Sequence, residues 1–203
     1  MADDPNGSIK KAHAKTNLYF WPCDGDVTQA SRWQESNCTL ARLLANHRRV
    51  LGKAISVAVE IRRGIDDLVP SMAALCHRTC RFCPEPCCIS NTVWFDLRDL
   101  LLFHLLKDPI PVGQAVSEPG VPCPFLSHNG CRLPPRIRPW MCFQYICPTQ
   151  RAVLKKRGRP METALLGMIK KIDKTRIRME AEVIRRIKRR IRTSPSSSPA
   201  SSG

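Results

Sequence analysis

The sequence predicts a mainly α-helical protein with irregular loops and a short β-hairpin, in which helices cover a cysteine-rich module. Three observations support this class. Apolar residues recur every three or four positions in three separate stretches, as they do in amphipathic helices. Eight of the 11 cysteines lie between residues 80 and 147, in two groups. The 17 prolines and the small aromatic fraction favour loops around those cysteines.

The part of the chain before the cysteines divides into two predicted regions. Residues 1–28 are polar and rich in Gly, Asp and Lys, which predicts a disordered N-terminal segment. Residues 29–69 carry apolar positions at helical spacing and form a predicted scaffold helix region that ends before Pro70. Because Gly52 and Gly64 weaken helix propensity, the pattern fits one long helix or two shorter ones.

Residues 70–150 form the predicted cysteine-rich module. Within it, Asp96 suits the N-cap of a helix from Leu97 to Lys107. The prolines and glycines between residues 109 and 122 predict a loop. Asn129-Gly130 is a strong two-residue turn signal and predicts a short hairpin within 123–133.

The C-terminal part is predicted to be a basic amphipathic helix, residues 151–192, followed by a disordered Ser/Pro tail, residues 193–203. The formal net charge is +16, and residues 151–192 hold 16 Lys/Arg against 4 Asp/Glu. A helix that packs its apolar stripe on the body and exposes its basic face is the first interpretation. A nucleic acid or another anionic partner bound through residues 170–192 is the alternative, with membrane contact and self-association behind it.

The cysteines are interpreted as metal ligands because of the compartment that the sequence indicates. The N-terminus shows no secretory signal pattern, and the longest apolar run is far shorter than the roughly 20 residues that span a bilayer. We therefore expect a cytoplasmic protein without a transmembrane segment. Cytoplasmic thiols stay reduced, so clustered cysteines indicate metal ligands before disulfides.

The spacing of the thiols fits a metal-nucleated module. Cys80 and Cys83 form a C-x2-C pair, whose turn lets two sulfurs converge on one ion. A second group from a distant segment would complete a four-sulfur site and fasten loops with little core of their own. There are more thiols than one zinc ion takes, so two ions or one cluster with spare thiols both fit. Cys–Pro steps favour an iron–sulfur cluster over zinc, and the metal stays open between these two.

The order C-x2-C, a Cys-Cys pair, C-P-F-L, G-C-R-L and R-P-x2-C resembles the YkgJ-type family of zinc- or iron-chelating cysteine-cluster proteins. The resemblance covers about residues 80–142, and Arg138-Pro139 matches the family's R-P step. One difference is that three residues, rather than two, separate Cys83 from Cys87. By position, the resemblance implies metal-ligand roles for Cys80, Cys83, Cys87, Cys88, Cys123, Cys131 and Cys142.

Several functional questions stay open at the level of sequence. The leading hypothesis is a metal-chelating protein with a binding, redox or metal-handling role. The alternatives are a protein-modifying enzyme related to flagellin lysine methylases, which contain a similar module, and a nucleic-acid-binding metalloprotein. The sequence shows no phosphate loop, dinucleotide fingerprint or serine elbow, so it assigns no catalytic residue. Further ligands could come from Cys147, Cys76, Cys23, His77 and His128.

Overall fold

A computed structural model describes residues 19–20, 32–80, 83, 86–115, 121–128 and 130–193. The predicted class is confirmed, because this part of the chain is mainly α-helical with short antiparallel strand pairs. The predicted disordered segments lie outside the described residues, apart from Tyr19–Phe20 and Thr193, and Cys23 lies outside them too. No helix in these ranges is long and apolar enough to cross a membrane.

The helices are α1 Arg32–Asn46, α2 Gly52–Thr79, α3 Cys87–Ser90, α4 Leu97–Leu106, α5 Met141–Gln144, α6 Pro148–Lys156 and α7 Arg159–Thr193. The strands are β1 Tyr19–Phe20, β2 Ile110–Pro111, β3 Leu126–Ser127 and β4 Gly130–Cys131. Short 3-10 turns occupy Arg48–Val50 and Pro135–Ile137.

The predicted scaffold region forms two helices, α1 and α2, with the turn at Arg48–Val50 between them. The predicted end before Pro70 is wrong, since α2 continues through this proline to Thr79. A proline inside a helix removes one backbone hydrogen bond and crowds the preceding turn. Met72 and Leu75 beyond it are buried in the main core, and this packing offsets the local penalty.

The main core lies between α2 and α7, which make the largest helix–helix contact of the described chain. The predicted basic helix is confirmed as α7, although α6 precedes it as a separate helix. Its apolar stripe is buried from Leu165 to Val183, whereas Ile191 near its end is exposed. The two helices approach closely at Gly64, where a Cβ atom would lie 2.9 Å from Ile172 Cγ1. A glycine at this position therefore has a packing function.

A second, aromatic core lies under the loops and includes Phe95, Phe103 and Phe125. At its edge, β2 pairs antiparallel with β1, with Phe20 opposite Ile110 and Tyr19 opposite Pro111. The loop predicted for residues 109–122 is therefore wrong at its start. A strand fits there because a two-stranded edge tolerates a proline that cannot donate a hydrogen bond.

Helix α4 is confirmed, and the predicted cap at its start is a reciprocal capping box. The Asp96 carboxylate accepts from Asp99 N at 2.8 Å, and the Asp99 carboxylate accepts from Asp96 N at 3.2 Å. On the same helix, His104 Nε2 lies 3.0 Å from Asn37 Oδ1. Because Asn37 Nδ2 donates to the carbonyl of Trp33, its oxygen is the acceptor for His104. His104 is thus a partly buried histidine whose hydrogen bond is satisfied within the fold.

The predicted hairpin is confirmed as β3 paired with β4, with Leu126 opposite Cys131. Gly130 has a φ of +97°, which few side-chain-bearing residues adopt. Cys123 precedes the hairpin and its carbonyl accepts from Leu126 N at 2.8 Å. The two cysteines consequently do not face each other across the ladder, and their relation is set by the turn that joins them.

Candidate metal centre

The cysteine loops are joined to each other by backbone hydrogen bonds. Cys123 N donates to the carbonyl of Cys88 at 2.9 Å, which links the two groups of cysteines directly. Arg138 Nε donates to the carbonyl of Leu133 at 2.8 Å, and Cys142 N donates to that of Pro139 at 3.0 Å. The Arg-Pro step therefore shapes the turn that presents Cys142.

Five of the seven predicted ligands influence one another electrostatically, and we call them the thiol cluster. Its members come from α3, from the hairpin and the turn before it, and from α5, and each interacts electrostatically with at least one other. They are Cys87, Cys88, Cys123, Cys131 and Cys142. All are free thiols; Cys131 and Cys142 are exposed, and Cys87, Cys88 and Cys123 are half-buried.

The adjacent Cys87 and Cys88 have pKa values that are shifted in opposite directions. Cys88 donates its S–H to the Cys87 sulfur, and this hydrogen bond lowers the pKa of Cys87 to about 6. The same bond, with burial and the nearby thiols of Cys142 and Cys131, raises the pKa of Cys88. The pair therefore carries one negative charge more readily than two.

The remaining members repel one another when ionised. The Cys142 side chain is exposed at the surface, but its sulfur is closely surrounded by protein atoms. The resulting loss of hydration disfavours the thiolate and raises the pKa of Cys142 to about 12. The neighbouring Cys131 and Cys123 act in the same direction, while Arg138 opposes them. Burial also raises the pKa of Cys123, with a contribution from Cys131. Several thiolates at this place need a compensating cation, and a metal ion supplies such a charge.

A second set of thiols surrounds the buried side chain of Gln150 in α6. Its Nε2 lies 3.6 Å from Cys76 Sγ and 3.9 Å from Cys80 Sγ, one turn apart at the end of α2. Burial is the main cause that raises the pKa of Cys76 to about 12, and the neighbouring thiols of Cys80 and Cys87 act in the same direction. The helix thiol pair, Cys76 and Cys80, is thus joined to the thiol cluster by the interaction of Cys76 with Cys87.

Cys147 is held by the same glutamine as the N-cap of α6. Its sulfur accepts from Gln150 N at 3.4 Å, and Cys147 N donates to Gln150 Oε1 at 3.2 Å. Pro148 follows at the first helical position, where a missing N–H has no effect. Cys147 therefore has a structural function in the fold that does not depend on any ligand.

The other predicted candidates are placed less centrally. Cys83 N donates to the carbonyl of Cys80 at 3.3 Å, so the C-x2-C turn forms, and the Cys83 side chain is half-buried. His77 and His128 are exposed. Across the described ranges, no three Cys, His, Asp or Glu side chains are arranged to hold a metal ion without rearrangement.

A buried ion pair supports the turn of Cys142 from behind. Arg176 Nη2 on α7 donates to Asp96 Oδ1 at 2.7 Å and to Asp99 Oδ1 at 2.6 Å. Asp99 Oδ1 also accepts from Trp140 N at 3.1 Å, and the guanidinium lies 5.4 Å from the Trp140 ring centre. Burial raises the pKa of Asp99 to about 7, against the opposing charge of Arg176. This network fixes the residue two positions before Cys142.

Sequence reasoning missed the ion pair and left Cys76 and Gln150 without an assigned role. Cys76 and Cys80 are four residues apart, which places them on one helix face once α2 is known to continue past Pro70. Gln150 is three residues after Cys147, the spacing of a capping box. Nothing in the sequence identifies Arg176 among the many basic residues of α7.

No family model, curated protein or solved structure matches the chain. The resemblance to YkgJ-type proteins therefore depends on the quoted motifs alone.

Proposed function

We propose that the protein chelates a metal through its thiols and has a binding, redox or metal-handling role. The observation that carries the proposal is the thiol cluster, in which three chain segments bring five sulfurs close enough to influence one another. Chance burial of cysteines as small apolar side chains would not gather them at one place. Metal binding would cross-link loops that otherwise depend on two-residue strands and on the small aromatic core.

The donor set fits a soft metal. Thiolates select iron–sulfur clusters, zinc or copper(I), and a site made of sulfurs alone fits both an iron–sulfur cluster and a zinc ion held by four cysteines. We assign an iron–sulfur cluster first, with zinc as the alternative. A cluster would supply one-electron redox chemistry when bound, whereas zinc would supply a structural cross-link.

Different residues of the chain would bind such a metal and support its site. The thiol cluster would supply the ligands, and the turn of Cys80 and Cys83 would supply further sulfurs from the first motif. The neighbouring Cys88 lowers the pKa of Cys87 to about 6, so the Cys87 thiolate would be available to bind a cation. Arg138 reduces the repulsion among the thiolates and orients the turn of Cys142.

Anaerobic purification followed by metal and acid-labile sulfide analysis tests the proposal. We expect stoichiometric iron and sulfide, with a broad absorbance near 400 nm that is lost in air, or else stoichiometric zinc in a colourless protein. Cys88→Ser and Cys142→Ser should each lose most of the metal. Cys38→Ala is the matched control, because Cys38 is buried in α1 and lies outside the two groups of cysteines between residues 80 and 147. Metal-free protein, or equal metal content in all three variants, would refute the proposal.

A second candidate function is binding of a nucleic acid by the end of α7. The favouring observation is that residues 188–193 are exposed on every side, and Arg185, Lys188, Arg189 and Arg192 line one open groove of about 420 Å³. Lys188→Gln combined with Arg189→Gln and Arg192→Gln should reduce the salt dependence of RNA or DNA binding by about three in log–log slope. No measurable binding by the unaltered protein would exclude this candidate.

A further inference from the structure

Helix α7 carries an exposed apolar stripe beside its buried face. Ile177, Ile184 and Ile191 follow one another at intervals of seven residues and are 48%, 43% and 62% exposed. Seven residues are close to two helical turns, so the three side chains lie on one line that is about 21 Å long. Single exposed apolar residues are normal on a protein surface, whereas an aligned set of this kind is typical of an interaction site.

One side of the isoleucine stripe is bordered by the body of the protein. Glu180 is three residues after Ile177 and four before Ile184, so it lies next to both on the helix surface. Its carboxylate accepts from Arg98 Nε of α4 at 2.7 Å, which brings the start of α4 beside the stripe. Ile187 is three residues after Ile184 and packs against the main core. The stripe therefore begins at the edge of the core and continues outwards.

The other side of the stripe is basic. Lys174 is three residues before Ile177, Lys188 is three residues before Ile191, and both lysine side chains are exposed. Residues 170–193 as a whole hold 11 Lys/Arg against 3 Asp/Glu. An apolar line at seven-residue spacing with lysines next to it is the pattern of a helix that pairs with another helix, and the flanking charges select the partner.

We propose that the isoleucine stripe docks an acidic amphipathic helix of a partner protein. The partner would lay its apolar face on the three isoleucines and its carboxylates beside Lys174 and Lys188. The seven-residue repeat determines the shape of this partner, because it matches the apolar period of a second α-helix. The charge of residues 170–193 determines its chemistry, since an acidic helix is attracted by the same lysines that would repel a basic one.

The same observations disfavour the other occupants of the stripe. A second copy of α7 would bring two strongly basic helices together, and like charges at an interface repel. A membrane surface favours aromatic residues among the apolar ones, but α7 contains no Phe, Tyr or Trp. A nucleic acid would contact the basic residues and leave the isoleucines exposed. The proposal thus depends neither on the metal nor on the nucleic-acid candidate.

A designed peptide tests the stripe in the full-length protein. It has about three heptads with leucine at the two core positions, and its glutamates at the flanking positions keep it from pairing with itself. The control peptide has the same composition, with the leucines redistributed so that they share no face. We expect fluorescence anisotropy at about 0.15 M salt to show micromolar binding of the patterned peptide and at least about tenfold weaker binding of the control peptide.

Ile177→Gln combined with Ile184→Gln is the decisive variant, because it removes apolar character from the stripe without changing its charge. Both side chains are largely exposed, so the thermal midpoint should stay nearly the same while affinity for the patterned peptide falls at least about tenfold. Lys174→Gln combined with Lys188→Gln should weaken binding about fivefold and reduce its salt dependence. Leu43→Gln is the matched control, since it changes an exposed apolar residue of α1 and should leave peptide binding unchanged.

The proposal fails if the patterned peptide does not bind, or if the control peptide binds equally tightly. It also fails if the double isoleucine variant keeps the affinity of the unaltered protein. Sedimentation of the unaltered protein as a dimer that dissociates in this variant would assign the stripe to a second copy instead. Loss of RNA binding, or of binding to phosphatidylserine vesicles, in the same variant would likewise assign it to another occupant. These outcomes are independent of the metal analysis.

Discussion

Replacing Arg176 by methionine should destabilise the protein strongly and in a pH-dependent way. The guanidinium is 1% exposed and pairs with Asp96 and Asp99, and Asp99 itself is buried. Removing one partner of a buried pair leaves an uncompensated charge and typically costs about 3–5 kcal/mol. We therefore expect the free energy of unfolding in urea to fall by about 4 kcal/mol near pH 8.

The pH dependence follows from the pKa of Asp99. It is already raised to about 7 in the presence of Arg176, and it rises further when the cation is removed. A carboxyl group whose folded pKa is raised stabilises the fold at low pH and loses that contribution as the pH increases through the folded value. The destabilisation should accordingly shrink by about half near pH 5, where Asp99 is protonated.

Arg178→Met is the matched control, two residues further along α7. Its side chain is 56% exposed and pairs with Glu60 on the surface, so the expected loss is below about 1 kcal/mol at any pH. Adding Asp99→Asn to Arg176→Met should recover part of the stability near pH 8, because no buried charge remains. Equal losses in Arg176→Met and Arg178→Met would refute the assignment of a buried ion pair.

Three further outcomes are expected from other parts of the chain. In urea unfolding, Gly64→Ala should lower the free energy of unfolding by about 1–3 kcal/mol, because the new methyl group meets Ile172. Gly167→Ala has open space around the new methyl group and should raise the free energy of unfolding by up to about 1 kcal/mol. Burial lowers the pKa of His104 to about 4, so the unfolded chain takes up a proton there before the folded chain does. The unaltered protein should therefore lose about 3 kcal/mol of stability relative to His104→Gln as the pH falls from about 6.5 to about 4. Parallel curves of urea midpoint against pH for the two proteins would contradict this. A chelator that removes the proposed metal should lower the thermal midpoint of the unaltered protein and leave that of Cys142→Ser unchanged. Equal shifts in both proteins would argue against a stabilising metal.

The parts of the fold that the sequence predicted correctly depend on short-range signals. The Asp96 cap, the turn at Asn129-Gly130 and the apolar spacing of α7 each involve residues within a few positions of one another. Their geometry follows from local backbone and side-chain preferences, with little influence from the rest of the molecule. The class and most helix positions could therefore be predicted from the amino-acid sequence alone.

The errors arose where tertiary packing outweighs a local preference. Pro70 signals a helix end, yet the buried residues that follow it keep α2 helical. The function of Gln150 depends on Cys76, 74 residues away, and that of Arg176 depends on Asp99, 77 residues away. Such contacts leave no local pattern, so the surroundings of the candidate site could not be predicted from the sequence.

The continuity of α2 has a consequence for the order in which the molecule is assembled. Helix α2 ends next to Cys76 and Cys80, and most of its contacts with other elements are made with α7. Helix α7 follows every cysteine in the chain, so α2 can complete its packing only after α7 has left the ribosome. Binding of the proposed metal would thus be a late event in biogenesis, after all of the proposed ligand cysteines have been translated.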